Sequence, residues 1–238
     1  MPTITDGAPE QASRVRRRSA LPGPEHTLVS AALTRHAGFI SRQQLFQEPA
    51  VPTGFPDLVI VLLSRERCHA PPARLRLTDL HLQLLQHISS IGRSTIQDIA
   101  ADLLLRPRKV TVAVGDLAAA RVVFVEDGGV EARPLSEIFV ARRIIAVEAK
   151  VRDWRNAIEQ ARANSWFASH SLILLPAERF NDRVAEAALD AAVGVLTFDG
   201  AKMMVPVKPI EHPIPASYGS WLFNEWALHR VIERTGDA

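Results

Sequence analysis

Three polar residues, Asp57, Glu148 and Lys150, stand beside apolar stretches of the chain and could act together in metal-assisted hydrolysis. Asp57 precedes the run LVIVLL, and Glu148 and Lys150 end the stretch IIAVEAK at 144–150. Side chains alternate along a strand, so Glu148 and Lys150 are expected to point to the same face. If the two strands pair, Asp57 meets Glu148. The pattern therefore predicts that two carboxylates distant in sequence lie side by side.

Neighbouring carboxylates have a characteristic chemistry. Their negative charges repel, and proteins usually hold them together with a divalent ion. Oxygen ligands suit Mg²⁺ or Mn²⁺, which polarise a phosphodiester and activate a water molecule. A lysine beside the metal can position that water or stabilise the charge that builds on phosphorus. The alternative is that Glu148 and Lys150 form an ion pair at a solvated strand end, and that Asp57 is a turn residue after Pro56.

The composition is that of a globular chain with one large domain or two small ones. Of the 238 residues, 47% are hydrophobic and 23% are charged, and the formal net charge is +2, so a core of ordinary size can form. Cys68 is the only cysteine, which excludes disulfides within the chain as the source of stability. No apolar run is long enough to span a bilayer, and the start of the chain lacks the pattern of a signal peptide. We expect a soluble, cytoplasmic protein with no membrane partner.

The pattern of the first third of the chain predicts an arm followed by the start of an α/β domain. Residues 1–24, rich in Pro, Gly, Ser and Arg, are expected to be disordered. A helix is predicted over 26–38, ended by Gly38, and strands are predicted around Gln43–Gln47 and over 55–63. Residues 65–74 are interpreted as a linker.

Residues 75–133 have the pattern of a separate small domain. Helices are predicted over 77–92 with Thr78 as N-cap, over 94–105 with a capping box of Ser94 and Gln97, and over 106–123 with Pro107 in the first turn. A hairpin follows around Asp127-Gly128-Gly129. This order of helix, helix, turn, helix and hairpin is typical of a winged helix-turn-helix.

The third of these helices is the candidate DNA-binding element, because in a helix-turn-helix that helix enters the major groove. The candidate contacts are Arg106, Arg108, Lys109 and Thr111 at its leading end. However, 75–133 contains seven basic and seven acidic residues, and the hairpin tip is acidic. A neutral winged helix can also be a protein-interaction or dimerisation module, so that alternative stays open.

After residue 134 strands and helices alternate. Strands are predicted over 144–150 and 171–176, and two more on either side of Asp199-Gly200. Helices are predicted over 153–167, over 177–194 with an end at Gly194, and over 218–234, where Trp221, Phe223 and Trp226 are interpreted as core or dimer contacts.

These pieces together resemble the PD-(D/E)xK superfamily of phosphodiesterases, which has the restriction-endonuclease-like fold. The resemblance lies in Pro56-Asp57, in Glu148-Ala149-Lys150, and in the helix and apolar strand that follow, over about 25–64 and 135–177. It implies an αβββαβ core in which Asp57 and Glu148 ligate the metal, Lys150 assists the attacking water and Gln160 supports the site. Glu25 could stand for the extra acid that some members carry near the first helix.

The long separation of Asp57 and Glu148 departs from the family pattern and implies an insertion. Residues 25–64 and 134–238 would form the nuclease-like α/β domain, with a C-terminal α/β extension, and 75–133 the inserted winged helix. The expected function is that of a Mg²⁺- or Mn²⁺-dependent DNA endonuclease in defence or repair, with DNA as its partner. The alternatives are a DNA-binding or regulatory protein whose nuclease-like domain is not catalytic, and a scaffold that contacts protein through the winged helix or the C-terminal helix. A homodimer is a further alternative.

Overall fold

A computed structural model describes residues 23–36, 43–64 and 70–236. The described chain divides into two compact units. The sheet unit consists of the described residues up to Leu63 and of Ala141–Ser220, and the helical unit consists of Ser64–Val140 and the chain from Trp221 onward. Nearly all of the predicted arm and the predicted helix end at Gly38 lie outside the described residues.

Both units contain strands and α-helices. The strands are β1 (Gln43–Gln47), β2 (Leu58–Leu63), β3 (Ser94–Thr95), β4 (Val123–Glu126), β5 (Gly129–Ala132), β6 (Ala141–Ala149), β7 (His170–Pro176), β8 (Gly194–Phe198) and β9 (Met203–Val207). The α-helices are α1 (Pro24–His36), α2 (Asp79–Ile91), α3 (Ile96–Asp102), α4 (Pro107–Ala119), α5 (Leu135–Ile138), α6 (Trp154–Ala163), α7 (Asp182–Asp190) and α8 (Tyr218–Gly236). Short 3₁₀ segments span Pro72–Arg76, Asn164–Trp166 and Ala177–Arg179.

The sheet unit is built on a mixed six-stranded sheet with the order β1-β2-β6-β7-β8-β9. β6, β7 and β8 run parallel, and β1, β2 and β9 join the sheet as antiparallel strands. The predicted α/β class is therefore confirmed. None of the described helices combines the length and the apolar character needed to cross a membrane.

Helices cover both faces of this sheet. On one face, Val29 and Ala32 of α1 pack against Val147, Ala149 and neighbouring strand residues. On the other face, buried residues of α6 and α7 pack against alternate residues of β7 and β8. β7 is buried along almost its whole length because it lies inside the sheet and is covered on both sides. This arrangement holds the ends of β2 and β6, where the candidate residues lie, on a rigid layer.

In the helical unit, α2, α3 and α4 are followed by a hairpin, in the predicted order. β3 pairs with the hairpin to give a small sheet with the order β3-β5-β4. Glu126 pairs with Gly129, so the hairpin turn is the two residues Asp127 and Gly128, both with positive φ (48° and 72°). A two-residue turn of this kind matches the twist of the flanking strands.

The helix starts in this unit agree with the predictions only in part. Thr78 is the N-cap of α2 as predicted and forms a capping box with His81, and Pro107 begins α4 as expected. The predicted capping box of Ser94 and Gln97 is wrong, because Ser94 pairs with Val130 as part of β3. The N-cap of α3 is Thr95, whose hydroxyl oxygen accepts a hydrogen bond from the Asp98 backbone N–H at 3.2 Å.

The predicted domain boundaries differ from the two units at the C-terminal end. The sequence predicts 134–140 and all of α8 as parts of the nuclease-like domain, whereas Val140 and the chain from Trp221 belong to the helical unit. The cause is packing: the Trp221 ring lies 4.6 Å from Phe139, edge to face, and the Asn224 side chain accepts from the Val140 backbone N–H at 2.8 Å. Burial of α8 from Trp221 to His229 makes it a central element of the helical unit.

Two further expectations need correction. The segment interpreted as a linker runs into a 3₁₀ helix in which Arg74 is buried, because its guanidinium pairs with Glu225. The helix predicted to end at Gly194 ends at Asp190, and Gly194 begins β8. A glycine is needed there because an added Cβ would lie only 2.8 Å from the backbone nitrogen of Pro209.

Candidate active site

The register of β2 and β6 brings Asp57 and Glu148 together. Leu58 pairs with Val147 in this antiparallel ladder, so the next position outward sets Asp57 opposite Glu148. The Ala149 backbone N–H donates to Asp57 Oδ2 at 2.7 Å, and the Asp57 backbone N–H donates to the Glu148 carboxylate. Residues far apart in sequence thus hold each other by reciprocal hydrogen bonds at one end of the two strands.

Glu148 is buried on the face of the sheet that α6 and α7 cover. Its neighbours Val147 and Ala149 point to the α1 side, and alternation turns Glu148 the other way. Only 6% of Glu148 is exposed. The side chain of Asn164 donates from Nδ2 to Glu148 Oε1 at 2.6 Å, so a polar partner from the end of α6 compensates part of the loss of water.

Burial and the nearby negative charges raise the pKa values of both carboxyl groups. Burial, and next the neighbouring Asp57 carboxylate, raise the pKa of Glu148 from 4.5 to about 7. Burial also raises the pKa of Asp57, against the opposing effects of the Ala149 N–H and of Lys150. Two nearby carboxyl groups with raised pKa values are the electrostatic pattern of a functional site.

Two more acids surround Asp57. The negative charges of Glu48 and Glu25 each raise the pKa of Asp57. Glu48 is buried, has a left-handed backbone with φ of 42°, and its N–H donates to the Asp57 carbonyl oxygen at 3.1 Å. Glu25 lies in the first turn of α1, where the family resemblance suggested an acid. Sequence reasoning missed Glu48, although an acid at the end of one strand facing an acid at the start of the next was a usable signal.

Lys150 brings a positive charge to the two acids. It follows the last residue of β6, and its backbone N–H donates to the Leu174 carbonyl oxygen at 3.1 Å, which keeps it in line with β7. Its side chain is half-buried. Its positive charge lowers the pKa of Asp57 and of Glu148, so the ammonium group lies within electrostatic range of both carboxylates.

The supporting role predicted for Gln160 falls in part to another residue. Gln160 lies on α6 and is exposed, whereas Asn164, one helical turn later, is buried and contacts Glu148. Residues four apart share one face of a helix. The hydrogen bond to the carboxylate comes from Asn164, at the C-terminal end of α6, where the helix tightens into a 3₁₀ turn.

The Asp57 and Glu148 carboxylates are the main donors that this site offers to a divalent ion. Within the described residues, no three or more His, Cys, Asp or Glu side chains are grouped so as to hold a metal ion. Mg²⁺ is commonly held by only one or two protein carboxylates, with water and substrate phosphate in the other positions. A cation would also supply the positive charge that Asp57 and Glu148 lack between them. The chemistry of this pair therefore fits Mg²⁺ or Mn²⁺, while it would not fit a closed zinc site.

The predicted DNA contacts lie together at the start of α4. Arg106 is the N-cap residue, and Arg108 and Lys109 follow in the first turn, all exposed. The Thr111 hydroxyl donates to the Pro107 carbonyl oxygen of its own helix at 3.0 Å, so its proton is already used. The three cations form a positive surface in the helical unit, whereas Thr111 contributes a methyl group and an acceptor.

The fold and the site define an α/β protein with an acidic site at the paired ends of two antiparallel strands. No family model and no curated protein matches the chain. Among solved structures, the chain is similar to the SPO1766 protein of unknown function from Silicibacter pomeroyi, with 17% sequence identity and a TM-score of 0.29. The similarity covers 40% of this chain and 62% of that one, less than two thirds of its length. A likeness at this level carries no inference about function.

Proposed function

We propose that the sheet unit is a metal-dependent phosphodiesterase of the PD-(D/E)xK kind that cleaves DNA. The observation that carries the proposal is the pairing of Asp57 with Glu148 at the ends of β2 and β6, with Lys150 two residues further on. The order α1, β1, β2, β6, α6, β7 is also that of the αβββαβ core of the family. DNA as the substrate follows from the family resemblance.

The insertion between β2 and β6 supports the same proposal. Leu63 at the end of β2 pairs with Ala141 at the start of β6. The Ser64 backbone N–H donates to the Val140 carbonyl oxygen at 2.7 Å, so the segment 64–140 leaves the sheet and rejoins it at adjacent points. A domain whose ends lie close together can be inserted at a hairpin tip without disturbing the host sheet.

Each residue of the site would have a separate task. Asp57 and Glu148 would hold Mg²⁺, which when bound supplies a Lewis acid for the phosphodiester. The Ala149 N–H fixes the orientation of the Asp57 carboxylate, and the Asn164 amide fixes that of Glu148. Lys150 carries the positive charge that can orient the attacking water and stabilise charge developing on the phosphoryl oxygens.

The test is cleavage of plasmid, linear duplex and single-stranded DNA by the full chain in Mg²⁺ or Mn²⁺. Asp57→Ala and Glu148→Gln are each expected to lower the cleavage rate by about 10³-fold or more, and Lys150→Ala by about 10²-fold. The matched controls are Glu159→Gln and Lys202→Ala, which change exposed residues of the same unit. Both controls are expected to cut at the rate of the unchanged protein.

Cleavage that survives both Asp57→Ala and Lys150→Ala would remove this site from the reaction. Salt-sensitive binding of DNA without cleavage in either metal would instead support the non-catalytic, DNA-binding alternative. A third outcome, neither binding nor cleavage of any DNA form, would contradict the proposed substrate.

A protein-contacting role for the helical unit is a second candidate, favoured by its surface. The basic residues at the start of α4 line a largely apolar groove, and the hairpin exposes Glu126, Asp127 and Glu131. Phosphate is repelled by such a hairpin and gains nothing from an apolar lining. The scaffold alternative therefore has its own structural support in this unit.

A further inference from the structure

We propose that the groove beside α4 binds an acidic amphipathic helix of a partner protein. This α4 groove lies between the start of α2 and the first three turns of α4 and has a volume of about 660 Å³. Its apolar lining comes from Leu80, Val112 and Ala113. All of these residues belong to the helical unit, so binding of such a helix does not depend on the proposed nuclease activity.

The charged residues around the groove favour a partner of negative charge. Four cations line it, from Arg76, Arg106, Arg108 and Lys109. Asp116 is its one acidic lining residue. Arginine and lysine around an apolar surface are complementary to a peptide that carries carboxylates beside an apolar stripe.

His81 does not add to this positive charge at neutral pH. Burial lowers the pKa of His81, against the raising effect of Asp116. Its ring is also held on both sides, with Nδ1 2.8 Å from the Thr78 hydroxyl and Nε2 3.3 Å from Asp116 Oδ2. The wall formed by the start of α2 is therefore fixed and close to neutral, and the attraction for anions comes from the four cations.

The apolar exposure in this region favours a helix over duplex DNA. Val112, which lines the groove, is 61% exposed, and Leu104, two residues before Arg106, is 94% exposed. Exposed apolar side chains in a concave surface are typical anchor points for protein partners. An open groove of this kind suits the apolar face of a helix, whose side chains at positions i, i+3, i+4 and i+7 would contact it.

The test measures binding of labelled peptides to the full chain by fluorescence anisotropy. The probe is a designed helix of about five turns, with leucine on one face and glutamate on the other. A peptide of identical composition but shuffled order, which has no apolar face, is the specificity control. The probe is expected to bind and the shuffled peptide to bind at least about tenfold more weakly.

Two variants locate the binding surface. Val112→Glu places a carboxylate in the groove and is expected to weaken binding of the probe by about tenfold or more. Arg108→Glu reverses one charge and is expected to weaken binding and to reduce its dependence on salt. Val125→Glu, at an exposed valine of β4 outside the groove, is the matched control and is expected to bind as the unchanged protein does.

Several results would overturn the proposal. Equal affinity for the probe and the shuffled peptide would show that charge alone causes binding and that the apolar face of the helix is not recognised. Displacement of the probe by a short DNA duplex whose binding is also lost in Val112→Glu would make the groove a nucleic-acid surface. A dimer of the chain that Val112→Glu dissociates, with no binding of the probe, would make it an interface between copies.

Discussion

The two units each bury a pair of charged side chains, with opposite electrostatic results. In the helical unit, the Arg74 guanidinium forms a two-pronged contact with Glu225, with distances of 2.7 and 3.1 Å and side-chain exposures of 6% and 1%. In the sheet unit, Glu148 lies beside Asp57, a group of its own sign. The first pair neutralises itself on folding. The repulsion between Asp57 and Glu148 is offset only in part by Lys150, and a proton or a bound cation would relieve it further.

This difference indicates that the Arg74–Glu225 pair has a structural role, whereas the Asp57–Glu148 pair is a candidate functional site. Opposite charges with good geometry recover much of the free energy that burial removes. Like charges raise each other's pKa and leave a site whose charge state depends on its surroundings. The free energy of unfolding is therefore expected to respond differently to pH and to mutation in the two places.

The largest effect is expected from Glu225→Gln. This change leaves the buried Arg74 guanidinium without its carboxylate partner, and an uncompensated buried charge destabilises a protein by about 3–5 kcal/mol. Urea denaturation at pH 7 would measure the loss in the free energy of unfolding.

The comparison pair for this prediction is Arg143 and Glu211, which make the same two-pronged contact at 3.1 Å but with side-chain exposures of 46% and 59%. Glu211→Gln is expected to lower the free energy of unfolding by less than about 1 kcal/mol, because water screens and replaces an exposed pair. An equal loss in the free energy of unfolding for the two substitutions would show that burial does not determine how much each ion pair contributes to stability.

The next effect is a pH dependence of stability from Glu148. Its pKa is about 7 in the folded protein against 4.5 without these neighbours, so between these values the folded state holds the extra proton. The contribution of Glu148 to the free energy of unfolding is therefore largest below pH 4.5 and is lost as the pH rises to about 7. The loss amounts to about 3 kcal/mol for this shift. Asp57, whose pKa is also raised, adds a change in the same direction.

Urea denaturation in the presence of a chelator, at pH 5 and pH 8, would measure this dependence. Glu148→Gln is expected to flatten the profile and to be more stable than the unchanged protein at pH 8, because the amide carries no charge. Glu159→Gln, at an exposed residue of α6, serves as the control and is expected to keep the profile. An unchanged profile in Glu148→Gln would show that Glu148 does not titrate in this range.

A smaller effect is expected from Asn164→Ala. Its amide donates to Glu148 at 2.6 Å and lowers the pKa of that carboxyl group. Loss of a hydrogen bond to a charged group costs about 1.5–3 kcal/mol, and the cost is expected to be larger at pH 8, where Glu148 is ionised, than at pH 5. Asn156→Ala, an exposed asparagine on the same helix, is the control. An equal loss at both pH values would mean that Asn164 supports only the packing of the 3₁₀ turn.

Much of the local structure could be predicted because its causes lie within a short window. Apolar runs predict most of β2, β6 and β7, and Pro107 marks the start of α4. The capping box at Ser94 failed because Ser94 pairs with Val130, 36 positions away, a contact that no local pattern reveals. The same limit explains why the burial of Arg74 was not predicted. Its partner Glu225 is 151 positions distant, and the segment around Arg74 has the composition of a loop.

The sequence by itself determined which residues could do chemistry: two acids and a lysine at the ends of apolar stretches, and a cluster of cations at the start of a helix. Only the tertiary structure decided that Asp57 faces Glu148, through the register of the antiparallel ladder between β2 and β6. It also decided that Asn164 reaches the carboxylate and that Glu48 lies near Asp57. The physical reason is that residue type and local periodicity are properties of short segments. The pairing of strands and the burial of charge, by contrast, depend on free energies summed over contacts between distant segments.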